Sequence, residues 1–204
     1  MERFSRSANS MAQWQEIEHE LIRMRQSWSS PRDLRKLGPA NFELRPVLAD
    51  IVHRYTRGRC LDFAVRMAGA NPILHFAGFY AGNDLIHAFL MDEKQSCIEV
   101  SGVWTLREMK KLHATDGKFA LRHPPLDQVL LEIERAEGNG ADFDSAEAVL
   151  SVAGCLPHLQ PFISEEYVID DPEAALLKLR ALADSQYSSI SINGSTVPYS
   201  GTAP

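Results

Sequence analysis

Residues 57–104 read RGRCLDFAVRMAGANPILHFAGFYAGNDLIHAFLMDEKQSCIEVSGVW, and the rest of the chain is organised around this stretch. Leu61, Phe63, Ala64, Val65, Met67 and Ala68 are apolar nearly all round a helix that begins at Cys60, which predicts a buried helix. Asn71 and Pro72 close it. ILHFAGFY at 73–80, LIHAFLM at 85–91 and SCIEV at 96–100 are apolar or β-favouring runs. They are separated by the turn residues AGND and DEKQ, so they read as a three-strand meander.

Outward from this stretch the chain is helical. Trp14, Ile17, Leu21, Met24 and Trp28 recur at three- and four-residue spacing and predict a helix over 12–28. Leu44, Val47, Leu48, Ile51, Val52 and Tyr55 predict a second over 44–56, stopped by Gly58. A short helical turn is read through Leu34 and Leu37. After the meander, Ser101 and Gly102 lead into a helix from Thr105, its cap, to about Leu112, and 118–121 reads as a short strand. Further helices are read at 126–136, at 145–153 capped by Asp144, and at 172–183 with Asp171 as cap and Pro172 at the first position. The fold class is therefore α+β: a small antiparallel sheet with a Cys-bearing buried helix, surrounded by several helices. The expected organisation is a loose N-terminus at 1–10, a single domain at 11–184 and a disordered tail, rich in Ser, Gly and Thr, at 185–204.

Composition narrows the function classes. A chain of 204 residues with 45% hydrophobic and 24% charged residues has enough apolar side chain for one sizeable core. A formal net charge of -6 gives no broad basic footprint, so nucleic acid is not an expected partner. No apolar run approaches the roughly 20 residues that span a bilayer, so no membrane partner is expected either. The first residues lack the apolar middle of a signal peptide, so a cytoplasmic protein is expected, or one exported by a route that reads no cleavable signal. Cys60, Cys97 and Cys155 are an odd number at wide spacing, which fits reduced thiols better than a disulfide framework. Cys155 and His158 form only half of a zinc pattern, and neither a metal nor any other cofactor is expected.

One row of residues carries chemistry. A thiol becomes a nucleophile when ionised, and a helix start beside positive charge favours the thiolate. Cys60 follows Arg57, Gly58 and Arg59 at such a start. His87 is the candidate general base, with His75 on the preceding strand as its rival, and Glu99 is the candidate partner for the second ring nitrogen. A hairpin centred on Glu93 would set His87 directly opposite Glu99, with Cβ atoms about 4.5 to 5.5 Å apart. The bland readings are a buried Cys60, a core His87 and an outward Glu99; Cys97 reads as core, and Trp104 as a wall of the cleft.

A Cys opening a buried helix, a His on a following strand and an acid on the next resembles the papain-like superfamily, especially its transglutaminase-like and arylamine N-acetyltransferase branches. RGRCLDFA is similar to their Cys helix start, IHAFL to their His strand, and CIEVSGVW to their acid strand followed by Gly and Trp, all within residues 57–104. The resemblance implies Cys60 as nucleophile, His87 as base and Glu99 as orienting acid. It implies acyl-transfer chemistry, by a peptidase, deamidase or transferase, on a protein, peptide or small-molecule amide or thioester. The acid is Glu where those families more often have Asp, the Cys-to-His interval is short, and Tyr55 is the only candidate for an upstream oxyanion side chain. The competing expectation is a catalytically inactive binding or adaptor module of the same fold. A docking surface on the helices after residue 125 is a third.

Overall fold

The structure, a computed structural model, describes residues 8–29, 45–113 and 119–190. Its elements run α1 (Ala8–Ser29), α2 (Arg45–Arg57), α3 (Cys60–Ala70), β1 (His75–Ala81), β2 (Asp84–Met91), β3 (Cys97–Glu99), β4 (Gly102–Trp104), α4 (Leu106–Leu112), β5 (Ala120–Arg122), α5 (Leu126–Gly138), α6 (Ala146–Gly154) and α7 (Pro172–Ile190). Two short 3-10 turns, Gln160–Phe162 and Glu165–Tyr167, bridge α6 and α7. The sheet is antiparallel in the order β4-β3-β2-β1-β5, and the fold is α+β.

Strand alternation divides the apolar side chains between two layers. Phe76, Ala88, Leu90 and Ile98 face the main core, where α3 meets α2, α5 and α6, and α7 packs on α2 and α6. Ala77, Phe79, Phe89, Met91 and Cys97 face a smaller cluster with Trp104 and Met109 of α4. Helix α1 touches both layers: Trp14, Ile17, Leu21 and Met24 join the main core while Ile22 packs on the smaller cluster. The Trp14 indole N–H donates to the Asp170 carbonyl at 3.1 Å, which ties α1 to the entry of α7.

Several expectations need correction. Helix α1 starts at Ala8, inside the stretch read as loose, and α7 continues to Ile190, past the expected end at residue 183 and into the stretch read as a tail. The turn read at Leu34 and Leu37 lies outside the described residues, as do 1–7 and 191–204. Strand β4 was not foreseen, because Gly-Val-Trp is too short to show alternation. It folds back on β3 with Glu99 opposite Gly102. Gly102 sits at φ +150°, a conformation that side-chain-bearing residues rarely adopt. The α6 cap is Ser145, whose Oγ accepts from the Ala148 amide, and not Asp144, whose carboxylate is held by Arg54 instead. Thr105 and Glu108 form the reciprocal capping box of α4, and Asp171 accepts from the amides of Glu173 and Ala174 at the start of α7.

The hairpin register differs from the centred turn in a way that keeps its consequence. Leu90 pairs with Ile98, where a turn centred on Glu93 would have brought Ser96. The cause is the loop: Gln95 takes φ +63°, the Asp92 amide reaches the Ser96 carbonyl, and the Asp92 carboxylate accepts from the Ser96 amide at 2.8 Å. The partner strand is displaced by two residues. A two-residue slip leaves every side chain on its own face, so His87 and Glu99 become diagonal neighbours rather than direct ones.

Candidate active site

Cys60 is the first residue of α3, half-buried, and only Gly58 and Arg59 separate it from the end of α2 at Arg57. Beyond Leu90, β3 leaves β2, so the segment of β2 at His87 and Ala88 has β1 alone as a strand partner. The Cys60 thiol meets β2 there, beside the His87 ring and the backbone N–H of Ala88. The first amides of α3 have no acceptor within the helix and point toward the same end.

His87 is buried in the middle of a polar group. Its Nε2 lies 3.0 Å from Glu99 Oε2. Its Nδ1 makes no conventional hydrogen bond, and this is the ring nitrogen left for Cys60. Thiol and imidazole interact without reaching ideal hydrogen-bond geometry, as is common before a substrate closes an active site. Glu99 is also buried, and its Oε1 accepts from Arg25 Nε at 2.7 Å and from the Ser101 hydroxyl. His158 Nε2 donates to the Glu99 backbone carbonyl at 3.0 Å, fixing the main chain of the same residue.

A second imidazole completes the group. His113 follows α4 and stacks on His87 with ring centroids 3.7 Å apart and planes inclined by 26°. Its Nε2 accepts from the Arg25 guanidinium. That contact defines the His113 tautomer, because an unprotonated Nε2 puts the proton on Nδ1.

The electrostatics follow from these contacts. Burial alone would raise the Glu99 carboxyl, but the His87 hydrogen bond and the Arg25 charge hold it far below the usual carboxylate range. Burial would lower His87, and its bonds to Cys60 and Glu99 outweigh that and raise it. Burial would raise Cys60, while the imidazole and the Ala88 amide bring the thiol down. The directions match a thiolate–imidazolium pair. Burial, then the charges of His87 and Arg25, push His113 down to about 2, so of the two stacked rings His113 stays neutral and His87 is the one favoured to carry a positive charge.

The other candidates fall elsewhere. His75 is exposed on β1 opposite Met91, four residues along the ladder from the Phe79–His87 pair, and it lines an open cavity of about 860 Å³ with Phe76, Asp92 and His123. Cys97 is fully buried, and its thiol is pushed up to about 12 by burial. The Cys155 sulfur donates to the Ser151 carbonyl and His158 is engaged by Glu99, so the C-x-x-H pair does not converge. Tyr55 packs on Phe63 with its hydroxyl facing Arg54 and Asp144, away from the role of an oxyanion donor. Trp104 lies in the smaller apolar cluster.

Arg25, Ser101 and His113 escaped the sequence reading as members of the site, and His158 was read only as half of a zinc pattern. Only Arg25 carried a signal. It stands four residues after Leu21, so a cation falls on the apolar stripe of α1, and a buried cation requires a buried partner.

His87, Glu99 and His113 bring possible ligand atoms within 4.8 Å of one another. Arg25 donates to two of these three residues and already supplies the positive charge that an ion would bring. Comparison with protein-family models, with curated proteins and with solved structures returned no match. Among the described residues no helix is long and apolar enough to cross a membrane.

Proposed function

We propose that the chain is a cysteine enzyme of the acyl-transfer class, built like the papain-like families, with Cys60 as nucleophile, His87 as base and Glu99 as orienting acid. One observation carries the reading: a buried His87 whose Nε2 is held by Glu99 and whose Nδ1 remains for a half-buried cysteine at a helix start. A core histidine would have both nitrogens satisfied.

The chemistry follows from the protonation states. His87 takes the Cys60 proton, and the thiolate adds to the carbonyl of an amide or thioester substrate. The amides at the start of α3, with no acceptor in the helix, face the developing oxyanion. Collapse breaks the bond to the leaving amine or thiol, which receives the proton from His87, and leaves a thioester on Cys60. Water or a second nucleophile then releases the acyl group.

The test is the pH profile of Cys60 alkylation by iodoacetamide, read by mass spectrometry, beside turnover of a small aryl thioester. Expected are an inflection well below the free-thiol value of about 8.5 and loss of turnover in Cys60→Ala. An inflection at the free-thiol value defeats the proposal. So does turnover that survives the substitution.

A further inference from the structure

We infer that Arg25 of α1 is a positioning residue of this site, acting through Glu99 and His113 to hold His87 in the orientation that faces Cys60. The inference rests on the proposed Cys60 chemistry and adds to it a part that lies outside the central stretch, on the first helix of the fold.

The geometry carries it. A carboxylate with one engaged oxygen can still swing about its terminal torsion, and the imidazole it holds swings with it. On Glu99, Oε1 is taken by both Arg25 Nε and Ser101, which leaves Oε2 for His87 Nε2. The same guanidinium reaches His113, whose ring lies against the His87 ring. One planar fork therefore restrains the carboxylate that bonds His87 and the ring that stacks on it. Lysine cannot reproduce this, because a single ammonium lacks the fork that spans two acceptors.

Arg25 is 2% exposed, and a bland reading makes it only a tie between α1 and the sheet. The two readings separate on His87. If Arg25 is only a tie, its loss removes a positive charge near His87 and by itself raises the His87 titration, whereas loss of a positioning contact lowers it.

The experiment uses full-length protein carrying Arg25→Gln, Arg25→Lys or His113→Phe. It records cooperative thermal unfolding, the pH profile of Cys60 alkylation, and the His87 imidazole resonances by 15N NMR in a Cys60→Ala background. Arg25→Gln is expected to lower the His87 titration and to slow alkylation near pH 6 about tenfold, one unit of thiol pKa. Arg25→Lys is expected to recover part of the titration shift but not the parent profile. His113→Phe retains a stacked ring without the Nε2 acceptor, and is expected to move the His87 signals in the same direction by less.

A cooperatively folded Arg25→Gln whose His87 titration overlays the parent or lies above it overturns the inference. Should Arg25→Gln not fold, His113→Phe decides, and unchanged His87 resonances there overturn it equally. An ordinary thiol profile in the parent defeats the proposed chemistry instead, while the NMR titration still reports whether Arg25 governs His87.

Discussion

Two charge networks flank the first turn of α3, one partly exposed and one buried, and they are built to different ends. On one side Arg54 Nε donates to Asp144 Oδ2 at 2.9 Å, its second nitrogen reaches Oδ1, and the Asp144 amide donates to Asp62 at 2.7 Å. Arg59 binds Asp62 and Asp142, and Arg66 donates to the Asp144 carbonyl, so the loop after α5 is clamped onto α2 and α3. On the other side stand Arg25, Glu99, Ser101, His87 and His113. The clamp pairs arginines with carboxylates, and the Asp62 carboxylate also accepts a backbone N–H. The site ends instead on an imidazole nitrogen with no conventional bond. Paired charges fix a loop, and an imidazole nitrogen left without a conventional bond beside a thiol is what the proposed chemistry requires.

Glu99→Gln should have the largest effect on this contrast. It leaves the Arg25 cation buried against a neutral amide, and losing one partner of such a pair costs about 3–5 kcal/mol, measurable by urea unfolding. It should raise the Cys60 thiol pKa at the same time. Loss of stability without any change in alkylation would reduce Glu99 to a structural acid.

His87→Gln comes next. With the imidazolium gone the thiol returns toward its ordinary range, and alkylation near neutral pH should fall by roughly tenfold to a hundredfold, at about 1.4 kcal/mol per decade. The matching change in the clamp, Asp144→Ala, should cost about 1–3 kcal/mol, because Arg54 is partly exposed and can recover water. It should leave the Cys60 profile in place. A shifted profile in Asp144→Ala would mean that the two networks are one.

The central stretch was legible because its signals are local. Helix α3 announces itself by an apolar run between Gly58 and Pro72, and the three strands by turn residues at short intervals. The placement of Cys60, His87 and Glu99 together survived a wrong register, since the slip was two residues and face is conserved over an even step. The surroundings were illegible for the opposite reason. Arg25 lies 74 positions from Glu99 along the chain, and His158 lies 59 from the carbonyl it holds, so neither pairing has a sequence period. His113 follows a short helix whose polar character gave no hint that the ring would stack on another imidazole. Asp144 was misread as a cap because Ser and Asp are both good caps, and only the tertiary partner Arg54 distinguishes them.

The smallest predicted effect separates the two networks by acid. His113 is held down to about 2, first by burial and then by the charges of His87 and Arg25, against an ordinary 6.5. Below pH 6.5 the unfolded chain therefore takes up a proton that the folded chain refuses, and stability falls as the pH drops. His158, pushed down to about 4 by burial, contributes with the same sign. His87 has the opposite shift: its contribution is complete below the unfolded value and is lost as pH rises through its raised folded pKa. Glu99 is depressed, and its contribution is lost only as pH falls below the ordinary carboxylate range. Between pH 6.5 and 5.5 the slope thus depends on the depressed histidines. His113→Phe should flatten it, so that the parent's Tm declines over this window by roughly 2–4 °C more than the variant's. Asp144→Ala should keep the parent slope across the same window, because its network contains no histidine. Parallel curves for the parent and His113→Phe would mean that His113 takes a proton in the folded chain. The site would then hold two charged imidazoles face to face, with Arg25 beside them, and the arrangement derived for His87 would not stand.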